Sequence, residues 1–353
     1  MTGPDGLDGL VDLDALSRWL HAEGLGAGPV EDATVLTGGT QNVLVRFRID
    51  DQVHVLRRPP RVPRPASWPT LLREARILGA LTGQAVPSPA LHATCADEAV
   101  LGAPFFLMEA IDGFHAATHV PDLQLARADL RHRMGLSAVE GIAAVAALDH
   151  EELGLADFGR PDGFLERQVG RWNRELASYA DQDGYDPTTF PDVSAISTWL
   201  QAELPTTFRP GIVHGDFHAA NLLFAHESGE IAAILDWEMA TIGDPLLDLG
   251  WFVATWPSDR APAVSAAVGQ LSGAGGLATR AELIEHYARH STRDLARIDW
   301  YAVLACFKLG IVLEGSYARA CAGKMDRGVG EFLRSMATAL IDQAHLFMDE
   351  GVV

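Results

Sequence analysis

Leucine and valine recur at helical spacing over residues 8–22, and the pattern then switches to alternation. Thr34–Leu36, Asn42–Ile49 (with VLVRFRI inside it) and Val53–Arg57 predict three strands. The run Pro59–Pro65 (PPRVPRP) cannot lie inside a helix, because each ring removes a backbone donor and clashes with the preceding turn, so it predicts a loop. Leu71–Leu81 returns to helical spacing, and Ala90–Ala93 and Phe105–Glu109 predict two further strands. Beyond Gly113 the helical period dominates, in Leu136–Leu148, Phe164–Tyr179 and Val193–Leu204. Short strands are predicted at Ile212-Val213, Leu222–Phe224 and Ile231–Leu235, and the chain from Pro245 onward reads as mostly helical. The expectation is an α+β protein of two lobes: a small β-rich lobe with one N-terminal helix over residues 1–110, and a larger, mainly helical lobe over 111–353. The hinge is expected near Glu109–Gly113.

Charge narrows the partners. Lys and Arg number 27 against 47 Asp and Glu, a net charge of −20. Such a surface has no basic field to displace counterions from nucleic acid or to hold an anionic membrane, so neither is an expected partner. The three cysteines, Cys95, Cys306 and Cys321, form no CxxC pair, which argues against a disulfide scaffold or zinc ribbon and suits a reducing cytoplasm. The first residues are acidic, unlike a signal peptide, and the apolar stretch Ala302–Leu313 is interrupted by Lys308, so no membrane span is expected. Only two of the basic residues are lysines, Lys308 and Lys324, leaving none in the first 307 positions.

The chemistry concentrates in two segments. His214-Gly215-Asp216-Phe217-His218-Ala219-Ala220-Asn221 places an aspartate and an asparagine five apart in a loop leaving a short strand. Leu235-Asp236-Trp237-Glu238 puts a second aspartate at the end of a strand 20 residues after the first. Phosphoryl transfer from a nucleotide needs such a set: one carboxylate to orient the acceptor hydroxyl and take its proton, and oxygen ligands for Mg²⁺ on the phosphates. Asp216 fits the base, and Asn221 and Asp236 fit the metal ligands. His214 and His218 read alternatively as a metal pair, although Gly215 between them opposes the helix that such a pair prefers.

These motifs resemble the aminoglycoside phosphotransferase/choline kinase family, which has the protein-kinase-like fold. HGDFHAAN is similar to its catalytic loop, LDWE to its metal-binding motif and IGDPLLDLGW to the segment that follows. VLRRPP, REARILGAL, PFFLMEAIDG and LGLADFGRPDGFLERQVGRW further resemble kinase domains associated with acyl-CoA dehydrogenases. The resemblance implies ATP and Mg²⁺ as cofactors and a small-molecule hydroxyl acceptor: an aminoglycoside, a choline-like alcohol or a hydroxyacyl thioester. The alternatives are a catalytically silent nucleotide-binding protein of the same fold and, with less support from motifs, a metal-dependent phosphoesterase.

In the first lobe the resemblance implies a phosphate-covering turn at Gly38, Gly39 and Thr40, where glycine lets backbone N–H groups approach phosphate; a plain hairpin turn is the alternative. The third strand should deliver a phosphate-binding cation held by a helix glutamate. With no lysine in the lobe, Arg57 and Glu74 take those positions, with a structural ion pair as the alternative. Arg58 is the rival, turned to the opposite face by strand alternation. Met108, Glu109 and Ile111 match the adenine hinge, through the Glu109 carbonyl and the Ile111 N–H; core packing is the alternative for Met108. Asp244 before Pro245 reads as a helix cap, and Asp248, in an apolar helical turn, requires backbone partners in the catalytic loop. The cluster Arg57, Arg58, Arg61 and Arg64 reads either as a solvated loop or as a receptor for an anionic substrate tail.

Overall fold

The computed structural model describes residues 10–36, 42–60, 67–257 and 269–353. Gly38, Gly39, Thr40, Arg61 and Arg64 lie outside these ranges. The chain forms two compact units: residues 1–112 together with 233–238, and residues 113–232 together with 239–353.

The first unit contains α1 (Leu13–Ala22), β1 (Val30–Leu36), β2 (Val43–Ile49), β3 (Gln52–Arg58), α2 (Ser67–Leu81), β4 (Leu91–Cys95), α3 (Glu98–Leu101) and β5 (Phe105–Glu109). The strands form one antiparallel sheet in the order β1-β2-β3-β5-β4. α1 begins later than residue 8 because Asp12 caps it, its carboxylate accepting from Ala15 N at 2.9 Å. Val45, Phe47, Ile49, Leu56, Phe105 and Leu107 pack with Leu16 and Leu20 of α1 in one buried cluster. Trp19 meets Phe105 edge to face at 4.8 Å. Successive residues of a strand point to opposite faces, so the β3 residue after Leu56 faces away from α1. That residue is Arg57, and it meets α2.

The second unit contains β6 (Phe114–His115), α4 (Asp122–Ala126), α5 (Ala128–Ala147), α6 (Glu166–Ser178), α7 (Ser194–Ala202), β7 (Gly211–Val213) and β8 (Leu222–Phe224). There follow β9 (Ile231–Ile234), whose last two residues belong to the first unit, then β10 (Thr241–Gly243), α8 (Leu246–Thr255), α9 (Gly269–Ala274), α10 (Arg280–His290), α11 (Ile298–Cys321) and α12 (Arg327–Glu350). β6, β8 and β9 make one small sheet, and β7 pairs with β10 in another. α5 starts eight residues before the apolar period suggests. Its first turns are polar, and Arg131 is buried there by donating to the carbonyls of Gln124, Leu125, Ala274 and Gly275. Among the described residues no helix is long and apolar enough to cross a membrane.

Candidate active site

The loop after β7 carries Asp216, and five hydrogen bonds and one close backbone approach fix its shape. Asp248, buried in the first turn of α8, accepts from His214 N at 2.6 Å and from Gly215 N at 2.9 Å. These are the backbone partners that its burial required. Gly215 has φ +86°, and a Cβ there would lie 2.7 Å from the Met239 carbonyl oxygen, so the turn admits only glycine without strain. The Asp216 N–H donates to His214 Nδ1 at 3.2 Å, and the Asn221 amide nitrogen donates to the Asp216 carbonyl at 2.8 Å and to its carboxylate at 3.0 Å.

His218 is oriented by the same logic. Ala220 N donates to its Nδ1 at 3.2 Å, which leaves Nε2 to carry the proton, 3.3 Å from Asp216 Oδ1. Burial alone would raise the Asp216 carboxyl. His218, His214 and Lys308 outweigh it and hold the group at about 2. Asp216 is therefore an ionised acceptor across the neutral range. Asn221 spends its nitrogen on Asp216, and among the described residues its Oδ1 accepts no hydrogen bond.

Lys308 of α11 donates to the Gly215 carbonyl at 3.0 Å and stands 4.2 Å from the centre of the Trp251 ring. In the sequence this residue shows as the break in an apolar run and as one of two lysines, with no role at the site. A lone cation among buried apolar positions was the signal available, because such a charge persists only where something polar receives it.

In the first unit Arg57 is the centre of a carboxylate cluster. Its Nε is 2.9 Å from Glu74 Oε2, and its terminal nitrogen is 2.7 Å from Asp236 Oδ1 and 3.6 Å from Glu238 Oε2. Glu74 is 2% exposed. Burial raises its carboxyl to about 8 against the pull of Arg57, with Asp236 and Glu238 adding to the rise. Arg57 remains cationic, its desolvation more than offset by the three acids. Asp236 sits in the left-handed region at φ +62°. A non-glycine residue held there stores strain and recurs at functional sites. Arg58 is also buried, and its guanidinium donates to the Leu10 and Leu101 carbonyls on the α1 side.

Met108 is half-buried and Glu109 is the exposed last residue of β5, its N–H donating to the Ala90 carbonyl at 2.9 Å. Ile111 follows in an irregular segment. Asp244 caps as expected, accepting from Leu246 N at 3.1 Å, and it also receives the Tyr301 hydroxyl.

The profile of the phosphotransferase enzyme family matches residues 32–283. The chain belongs to that family. Among curated relatives, this phosphotransferase-family chain is 30% identical over 325 residues to human acyl-CoA dehydrogenase family member 11, covering 88% of the chain and 40% of the relative. It is 28% identical over 345 residues to mouse acyl-CoA dehydrogenase family member 10, covering 95% of the chain and 31% of the relative. It thus spans well under half the length of either. A crystal structure from Ralstonia eutropha assigned as an aminoglycoside phosphotransferase superposes with a TM-score of 0.77 at 26% identity, covering 95% of this chain and 99% of that one. A thermostable mutant of the aminoglycoside phosphotransferase APH(4)-Ia, seen in a ternary complex with ADP and hygromycin B, shares the fold at a TM-score of 0.58 and 16% identity, covering 93% and 98%. The two-lobed kinase-like architecture, with strands first and helices after, is that of these neighbours.

Proposed function

We propose that this phosphotransferase is an ATP-dependent small-molecule kinase that uses a hydroxyl as acceptor. The observation that carries the proposal is the ionised Asp216, oriented by Asn221 and His218 on a loop pinned by Asp248. A carboxylate at about 2 is a weak base. It serves best by accepting a hydrogen bond from the acceptor hydroxyl, aligning the oxygen, and taking the proton late, as a loose phosphoryl-transfer transition state demands.

Asn221 Oδ1 and the strained Asp236 each offer a hard oxygen of the kind Mg²⁺ prefers, and Arg57, gripped by Glu74, offers a permanent cation for phosphate. Bound ATP·Mg²⁺ supplies the transferable phosphoryl group. Gly38, Gly39 and Thr40 belong to the proposed phosphate contact, and Glu109, Ile111 and Met108 to the adenine contact. The neighbour crystallised with ADP supports a nucleotide site in this fold.

The test is ATP turnover with Mg²⁺ on a panel of aminoglycosides, choline-like alcohols and hydroxyacyl thioesters, the last prompted by the names of the curated relatives. ATP-dependent phosphorylation of one class, lost in Asp216→Asn, supports the proposal. Nucleotide binding without transfer to any acceptor would instead favour a silent member of the fold.

A further inference from the structure

Lys308 lies midway along α11 in the apolar run AVLACFKLGIVL. The residue is half-buried. Its ammonium carries three N–H donors and no acceptor, and one of the three goes to the Gly215 carbonyl. Among the described residues no carboxylate forms an ion pair with it. Two indole rings flank it, Trp251 at 4.2 Å and Trp172 at 5.7 Å. Both rings are buried, and the Nε1–H of each is buried without a hydrogen-bond partner among the described residues. A second cation is close by: the Arg171 guanidinium lies 5.0 Å from the centre of the Trp172 ring, and its charge acts on Lys308.

Two unmatched indole N–H donors thus belong to the rings that flank the Lys308 ammonium, and among the described residues no group accepts a hydrogen bond from either. Buried donors left unmatched are costly, and a ligand that only accepts removes that cost. The place adjoins the proposed base, since Gly215 precedes Asp216 and the Lys308 charge helps hold the Asp216 carboxyl down. Burial pulls the Lys308 ammonium below its ordinary range, Asp216 and Asp248 oppose that, and an incoming anion would oppose it further.

We propose that Lys308, Trp172 and Trp251 form an acceptor subsite beside Asp216 that receives an oxyanion, a carboxylate or phosphate carried by the hydroxyl substrate. The proposal rests on the reading of Asp216 as the residue that orients the acceptor. It predicts that polycationic or quaternary-ammonium alcohols are poor acceptors here and that hydroxylated acids are good ones.

Four small alcohols that differ in one substituent test it: glycerol, glycerate, glycerol 3-phosphate and 3-amino-1,2-propanediol. Binding is measured without nucleotide by ligand-observed NMR, and transfer is measured separately with ATP and Mg²⁺. Glycerate or glycerol 3-phosphate should bind at least about tenfold more tightly than glycerol, with the amine weakest. Comparing the two anions identifies which oxyanion the subsite takes. Lys308→Met should abolish the preference, Lys308→Arg should keep part of it, and Trp251→Phe, which keeps an aromatic face but removes the N–H, should weaken it. Lys324→Met, at the chain's other lysine, should change nothing. If Lys308→Met does not fold, the other two variants decide.

Equal binding of all four alcohols overturns the subsite. So does an anion preference that survives in Lys308→Met, or a Lys308→Met defect confined to ATP affinity. The kinase proposal fails separately: anion binding retained in Asp216→Asn, with no transfer to any alcohol in the wild type, keeps the subsite and removes the kinase.

Discussion

Asp216 and Arg57 are given different duties by the proposed function. Asp216 has the Lys308 charge, the His218 Nε2–H and an amide donor from Asn221 acting on it. Asp216→Asn keeps the shape and removes the charge, so kcat with any verified acceptor should fall by roughly 10²–10⁴-fold while nucleotide affinity holds, as read by turnover and calorimetry. Arg57 and Arg58 are consecutive, both buried, and face opposite ways. Arg57→Ala should weaken ATP binding and lower kcat together. Arg57→Lys should restore only part, because a point charge cannot bridge Glu74 and Asp236 as the planar fork does. Arg58→Ala should leave nucleotide affinity unchanged but cost about 1–3 kcal/mol of stability in a denaturant titration, through the stranded Leu10 and Leu101 carbonyls. Nucleotide affinity lost in Arg58→Ala instead would shift the functional position along the strand by one.

Among the elements, the loop from β7 to β8 is shaped by its supports more than by its own residues. Asp248 lies 34 residues beyond His214, yet two consecutive N–H groups donate to it. Asp248→Asn should cost both stability, about 1–3 kcal/mol, and turnover, since one amide oxygen cannot serve both N–H donors; melting and kcat measured together test this. Gly215→Ala should be worse still, because the left-handed turn and the Met239 carbonyl both exclude a methyl group.

These elements also mark what a sequence makes legible. The strands that carry the core, such as β2 with VLVRFRI, announce themselves by alternation, and the spacing of Asp216, Asn221 and Asp236 is what suggests the proposed chemistry. Strands of two or three residues, β6 and β10, are too short to show a period. The start of α5 was hidden by polar residues that bury themselves through carbonyl contacts. Lys308 and the two tryptophans come together from α6, α8 and α11, and only tertiary packing brings such distant positions to one place.

For the molecule as a whole, a charge of −20 and several buried acids act in the same direction. Burial raises the carboxyls of Glu74, Asp244, Asp248 and Glu314, so these groups hold protons more tightly folded than unfolded. Their contribution is full below the ordinary carboxylate range and is lost as pH rises through the folded values, about 8 for Glu74. Self-repulsion also eases toward the isoelectric point near 4.9. The melting temperature should therefore rise from pH 8 to about pH 5.5, with a shallower slope in Glu74→Gln; scanning calorimetry checks it, and a steady fall over that range would contradict it. Below the ordinary carboxylate range the sign reverses, because Asp216 and Glu140, held at about 2, lose stabilising charge as they protonate.

The backbone crosses between its two units at residues 112–113, 232–233 and 238–239. The borrowed segment brings Asp236 to Arg57, seats Ile234 N on the Pro87 carbonyl at 2.7 Å and ties Trp237 to the Ile234 carbonyl. A gene cut once, after Asp112, would therefore release a fragment without the hexapeptide that completes it. Exchanging the first unit with that of a relative therefore means grafting two separate stretches, 1–112 and 233–238.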